Sequence, residues 1–140
     1  MSVRDHMSPD PIVVAPGDTL RRVRQLIKDH GLRRFPVVKN GGLVGIVTDR
    51  DVRQADISSA VMQERRYVDY VLDRIQVEGI MTPHPITVAP AASIGEAARL
   101  ILENKIGGLP VMDGESLVGI ITETDLIRAL IAMLDGGARD

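Results

Sequence analysis

The chain has 140 residues, 44% of them hydrophobic and 26% charged, which is room for one ordinary domain or two very small ones sharing a core. It contains no cysteine, which excludes a disulfide framework and a thiolate metal site. A formal net charge of −2 and an aromatic content of 2% argue against nucleic-acid binding driven by overall charge or by base stacking.

The opening MSVRDHMSPDP has no apolar stretch of the kind a signal peptide carries. Residues 12–15 (IVVA) read as a short extended run rich in β-branched side chains. In the PGDT that follows, Asp18 or Thr19 is the expected N-cap of a helix. Leu20, Val23 and Ile27 share one face of that helix, which ends near Gly31. FPVVKNGGLVGIVT is a hairpin pattern, with Asn40 and Gly41 supplying left-handed turn residues. TDRDVRQA then opens a second helix. The segment after it is expected to be helical over residues 60–75, because Val61, Val68, Val71, Leu72 and Ile75 recur at helical spacing and Glu64, Arg65 and Arg66 lie elsewhere on the turn.

From Met81 the chain starts again. MSPDPIVVAP at residues 7–16 returns as MTPHPITVAP at 81–90, and LVGIVTDRD at 43–51 returns as LVGIITETD at 117–125. Both fall at one offset of 74, and no gap is needed between residues 7 and 52. The second copy predicts the same elements: an extended run at 86–89, a capping box of Ser93 with Glu96, and a helix face of Ile94, Ala97, Ala98 and Ile101. A hairpin and a last helix follow. Each copy is thus β-α-β-β-α, with boundaries at 7–60 (and a helical joint to about 80) and 81–138. The expected fold class is α/β (α+β). The last helix, over 126–134, is apolar nearly all round and wants cover on more than one side, from the other repeat or from a partner subunit. With Arg128 inside it and fewer than the roughly 20 residues a bilayer requires, it is not a membrane span, so a soluble, cytoplasmic protein is expected.

The T-x-x-D that ends each hairpin has two readings. As local structure, Thr48 is a helix N-cap with Asp51 at N3, close to a capping box and favourable to the helix dipole. As chemistry, a helix N-terminus offers unpaired N–H groups to phosphate, threonine can donate to a phosphate oxygen, and a carboxylate can accept both hydroxyls of a ribose diol. One residue can do both. The copies differ just before the first hairpin strand, where Arg33 and Arg34 align with Gly107 and Gly108. A forked, permanent cation suits phosphate oxygens, and glycine suits close approach of a flat base to the backbone.

Two copies of M-[ST]-P-x-P-h-x-V-x-P, h-P-V and h-V-G-h-h-T-x-x-D, with h apolar, resemble a tandem cystathionine-β-synthase (CBS) domain pair, the Bateman module, over nearly the whole chain. The joint YVDYVLDRI before VEGIM is similar to acetoin-utilisation-type members. The resemblance implies two repeats packed with pseudo-twofold symmetry around a cleft that holds an adenosine-containing ligand, AMP, ADP or ATP first among them. It also implies pairing of modules as homodimers. Carried over residue by residue, it implies one complete site. Asp51 would hold ribose, and Thr48, Arg33 and Arg34, with Arg50 in reach, would hold phosphate. Gln76, Val77, Ile80, Met81, Gly107, Gly108 and Leu109 would enclose the adenine. A weaker second site would use Thr122 and Asp125 with Ser2, Val3 and Met7, and there Arg33 and Arg34 would crowd the base side.

Nothing else in the chain competes strongly. His6, His30 and His84 are scattered without ligand spacing, so no metal is expected. No Ser-His-Asp or Cys-His grouping appears, and KNGGLVG lacks the closing Lys-Ser/Thr of a P-loop. Arg21, Arg22, Arg24 and Lys28 read as the wet face of a helix. The expected function is a non-catalytic regulatory sensor that needs no cofactor, signals by conformational or assembly change to a regulated protein, and contacts neither membrane nor nucleic acid. The alternative is a structural interaction module with an empty cleft.

Overall fold

The computed structural model describes residues 1–60 and 72–137. The chain forms two compact units, one of Ile12–Pro85 and one of Met1–Pro11 with Ile86–Asp140, called here the repeat-one and repeat-two units. Each repeat gives its leading Met-[Ser/Thr]-Pro segment to the unit built mostly from the other.

In the repeat-one unit, helix α2 (Leu20–His30) starts at Thr19, whose side chain accepts the Arg22 N–H at 3.3 Å. It stops at Gly31, which takes a left-handed conformation, φ 65°, that only glycine adopts at no steric cost. Leu20, Val23 and Leu26 are buried on its inner face, while Ile27 is half-buried beside them. Strands β2 (Arg34–Lys39) and β3 (Gly42–Thr48) form the expected hairpin, turning at Asn40 (φ 52°) and Gly41 (φ 78°). A two-residue strand β4 (Thr82–Pro83) adds to the other side of β3, giving the order β2-β3-β4. Helix α3 (Asp49–Ala60) leaves the end of β3 directly. Phe35, Val37, Val47, Val52, Leu72 and Val77 complete the core with the α2 face.

The repeat-two unit repeats this plan. Helix α4 (Ile94–Asn104) is capped by Ser93, which accepts the Glu96 N–H at 3.0 Å, and ends at Lys105 in a left-handed conformation, φ 54°. Strands β5 (Gly108–Asp113) and β6 (Ser116–Thr122) pair, and helix α5 (Glu123–Gly137) follows. The third strand is β1 (Ser8–Pro9), preceded by a one-turn helix α1 (Val3–His6), so the order is β1-β6-β5. The core is Val3, Val88, Ala97, Ile101, Leu109, Val111 and Ile121.

The expected leading strands at 12–15 and 86–89 are not strands. Each shrinks to one parallel bridge, Val14 with Val37 and Val88 with Val111. Val14 donates to Pro36 O (3.0 Å) and accepts from Val38 N (2.9 Å), and Val88 does the same with Pro110 and Met112. Prolines at 11 and 16, and at 85 and 90, bracket each run and remove the donors a longer ladder needs. The joint helix expected over 60–75 lies outside the described residues for 61–71, and residues 72–74 are helical. Arg21 at the start of α2 pairs with Asp73 (2.6 Å), and that hydrogen bond holds the Asp73 carboxyl below the usual carboxylate range. Among the described residues no helix is long and apolar enough to cross a membrane.

Candidate ligand site

The T-x-x-D motif forms the same closed cap in both units. In the repeat-one unit the Thr48 N–H donates to Asp51 Oδ2 (2.8 Å), and the Asp51 N–H donates to Thr48 Oγ1 (3.2 Å). In the repeat-two unit the Thr122 N–H donates to Asp125 Oδ2 (2.9 Å), and the Asp125 N–H donates to Thr122 Oγ1 (3.4 Å). Each is a reciprocal capping box that starts a helix at the end of a strand. In both, the cap falls on Oδ2 and leaves Oδ1 of the carboxylate outside it.

The cap also occupies the helix N-terminus. The Asp49 N–H is taken by the Arg33 carbonyl (2.7 Å) and the Glu123 N–H by the Gly107 carbonyl (3.0 Å). Among the described residues, Arg50 N–H in one unit and Thr124 N–H in the other are the first-turn amides left without an acceptor. The motif alone predicts a set of open amides for phosphate at this terminus. The structure leaves one, so the basic side chains would have to carry most of an anion's neutralisation.

Two differences separate the caps. Asp51 is half-buried, whereas Asp125 is 7% exposed. Thr122 donates its hydroxyl to Asp125 Oδ2 (3.1 Å), while among the described residues the Thr48 hydroxyl donates to nothing. The strand register adds a third. Arg34 lies opposite Thr48 across the β2–β3 ladder, and Gly108 lies opposite Thr122 across β5–β6. Directly opposed residues share a face of the sheet, so Arg34 stands beside Thr48 and the matching place in the other unit has no side chain. Arg34 is half-buried and engaged in interactions of its own, and Arg33 and Arg50 are exposed.

The segments leading into each Met-[Ser/Thr]-Pro lie in the same unit as a T-x-x-D: Gln76, Val77, Ile80 and Met81 with Asp51, and Ser2, Val3 and Met7 with Asp125. Gln76 is exposed and bridges Thr19, while Ser2 bridges Ser93 at the matching positions. Ser2 also caps α1 with Asp5, and its hydroxyl and amide hold the Asp5 carboxyl below the usual range. Val77 and Val3 are fully buried in the two cores, and so is Leu109. Their side chains are committed to packing, which leaves Gln76, Ile80 and Met81 as the accessible or half-buried members of the repeat-one lead-in. Gly107 is half-buried and Gly108 buried, and both belong with Leu109 to the repeat-two unit. Among the described residues no group of three His, Asp or Glu side chains could hold a metal ion.

Around the repeat-one cap, among the described residues, stand one carboxylate oxygen outside the cap, one threonine hydroxyl to donate and one open amide, with Arg34 opposite Thr48 and Arg33 and Arg50 adjoining in sequence. That set can accept from a diol and donate to an anion. The repeat-two group, with a buried acid and glycines in place of arginines, can do less of both.

The family model described as the CBS domain matches the chain twice, over residues 3–58 and 77–132. A CBS domain-containing protein of Dictyostelium discoideum is 33% identical over 135 residues, which covers 95% of this chain and 93% of that one. Three longer relatives are matched over 22%, 46% and 44% of their own lengths. Among solved structures, an acetoin utilization protein (AcuB) from Vibrio cholerae superposes with a TM-score of 0.80 at 30% identity, covering 100% of this chain and 97% of the other. CBSX2, a CBS-pair protein of Arabidopsis thaliana solved in complex with AMP, gives 0.77 at 30% identity over 94% and 97%.

Proposed function

This chain belongs to the CBS domain family, as a tandem pair, and from that premise we propose that it is a non-catalytic sensor of an adenosine-containing ligand. AMP, ADP or ATP is the favoured ligand, and binding would change conformation or assembly in a way a regulated protein reads. The observation that carries this reading is the Asp51 cap. Asp51 is half-exposed with one carboxylate oxygen outside the cap, and the Thr48 beside it has a hydroxyl proton to donate and lies opposite Arg34 across the strand ladder. A ribose diol fits the first, and a phosphate fits the second and third. In this reading Asp51 holds ribose. Thr48, Arg33, Arg34 and Arg50 hold phosphate, and Gln76, Ile80 and Met81 lie along the base. Thr122 and Asp125 with Ser2 and Met7 form the weaker place. That CBSX2 was solved with AMP supports the ligand class.

Calorimetry with AMP, ADP, ATP and S-adenosylmethionine tests it. We expect binding of at least one of them, with Asp51→Ala losing more affinity than Asp125→Ala. A ligand at 100 times its dissociation constant stabilises the fold by about 2.7 kcal/mol, which a melting curve reads independently. Failure of every adenosyl ligand to bind at millimolar concentration would sink the proposal.

A second reading, compatible with the first, is favoured by α5. Ile127, Leu130, Ile131 and Leu134 are each more than half exposed and recur at i, i+3, i+4 and i+7, a continuous apolar stripe. At the matching positions repeat one has Arg53, Asp56, Ile57 and Ala60, so the stripe is confined to one repeat. With Met133 it offers on the order of 500 Å² of apolar surface, the size of the largest patches on monomers, which are often functional, and close to one side of a small dimer interface. We propose that a second copy of this chain covers it. Light scattering should then give a dimer mass that Leu130→Glu converts to a monomer, and a monomer mass in the parent chain would count against it.

A further inference from the structure

We infer that Gly45 is a positioning residue for the ligand site, acting through Met81; this rests on the reading of an adenosyl site in the repeat-one unit. A Cβ built on Gly45 would stand 2.5 Å from Met81 Sδ, 3.1 Å from Met81 Cγ and 3.0 Å from the Thr82 carbonyl oxygen. The thioether of Met81 therefore lies directly on the backbone of β3, in space that any side chain at 45 would fill. The other unit repeats the arrangement: a Cβ on Gly119 would stand 2.5 Å from Met7 Sδ, 3.1 Å from Met7 Cγ and 2.9 Å from the Ser8 carbonyl oxygen. Neither glycine has a left-handed backbone, so turn geometry does not explain either one. Close approach does.

The consequence reaches the site through the chain direction. Met81 is the last residue of the lead-in and the one before β4, whose Pro83 pairs with Gly45 itself. Its N–H is held by the Val77 carbonyl at 2.8 Å. Its side chain packs on the edge of the repeat-one core with Ile80. The β3–β4 pairing holds the backbone just after it, and the thioether on Gly45 adds a side-chain anchor at Met81 itself. A methyl at 45 stands closer to the sulfur and to the Thr82 carbonyl than such contacts allow, so the thioether must leave its place and the backbone at Thr82 must give. Ile80 and Met81, two of the groups read as lying along the base, then shift together.

The test measures AMP affinity by calorimetry and melting temperature by scanning calorimetry in five full-length chains: the parent, Gly45→Ala, Met81→Ala, the double variant, and Val23→Ala. Val23 is a fully buried residue of α2, so its truncation lowers stability without entering the site. We expect Gly45→Ala and Met81→Ala each to weaken AMP by about tenfold, and the double variant to bind no worse than Met81→Ala alone, because the two changes disturb one contact. In the double variant the methyl added at position 45 no longer meets the thioether and meets only the Thr82 carbonyl, so part of the melting temperature lost in Gly45→Ala returns. Val23→Ala melts lower and keeps the parent affinity. Unchanged affinity in Gly45→Ala, or losses that add in the double variant, overturn the positioning role while the site stands. Absence of AMP binding by the parent chain overturns the site and the positioning role with it.

Discussion

In the repeat-one unit the T-x-x-D acid, Asp51, is half-exposed, and its threonine keeps a hydroxyl proton to give. In the repeat-two unit Asp125 is 7% exposed, and Thr122 donates its hydroxyl to that acid. The motif, the strand before it, the helix after it and the cap distances are nearly the same. The neighbours differ: Arg34 opposite Thr48 against Gly108 opposite Thr122, and Arg33 against Gly107. One backbone device has therefore been kept twice, and what remains for a ligand after the cap is satisfied is set by burial and by the adjoining strand. A capping role and a binding role do not compete for the residue. The cap uses Oδ2, and the binding role proposed for Asp51 would use Oδ1.

The two acids should differ in folding stability as well as in affinity. Asp125→Ala removes a buried acceptor and strands the Thr122 amide and hydroxyl, which costs about 1–3 kcal/mol. Asp51→Ala removes a half-exposed cap whose amide water can reach, and costs about 1 kcal/mol. Urea unfolding should rank them in that order, opposite to their ranking for AMP. Equal stability losses, or the same ranking in both measurements, would show that burial does not separate the two acids.

A smaller effect sharpens the same comparison at the ends of α2 and α4. Both helices stop at a left-handed residue, Gly31 in one unit and Lys105 in the other. Lys105→Gly should raise stability by about 0.5–1 kcal/mol, and Gly31→Lys should lower it by a similar amount. If Lys105→Gly destabilises instead in the same urea experiment, the lysine side chain makes a contact that outweighs the strain.

Much of this was legible in the chain itself. The hairpins were, because Asn40-Gly41 and the alternation around them specify both strands and turn. So were the caps at Thr19, Ser93, Thr48 and Thr122, which depend on residues three apart. What escaped has a physical reason in each case. Strands β1 and β4 are two residues long, so they carry no period, and their partners lie far away in sequence. The runs at 12–15 and 86–89 looked like strands by composition, but prolines on both sides left one bridge each. Val77 and Val3, which the family resemblance places on the base side, are fully buried in the cores, a tertiary fact that no local pattern states. Gly45 is one letter of an apolar strand in the sequence, and the sulfur packed on it comes from a residue 36 positions away.

The handing of each Met-[Ser/Thr]-Pro segment to the opposite unit bears on the order in which the chain can fold. The repeat-one unit is contiguous, and its β3–β4 contact joins Ile46 to Thr82, 36 residues apart. The repeat-two unit must recruit the first segment of the chain, and its β1–β6 contact joins Ser8 to Ile120, 112 residues apart. Closing the longer loop costs about 1 kcal/mol more in chain entropy. As the polypeptide emerges from the ribosome, the first unit can close while the leading strand of the second waits for a partner not yet made. The two halves of one repeat thus differ in contact order, and the second to be synthesised is also the slower to complete.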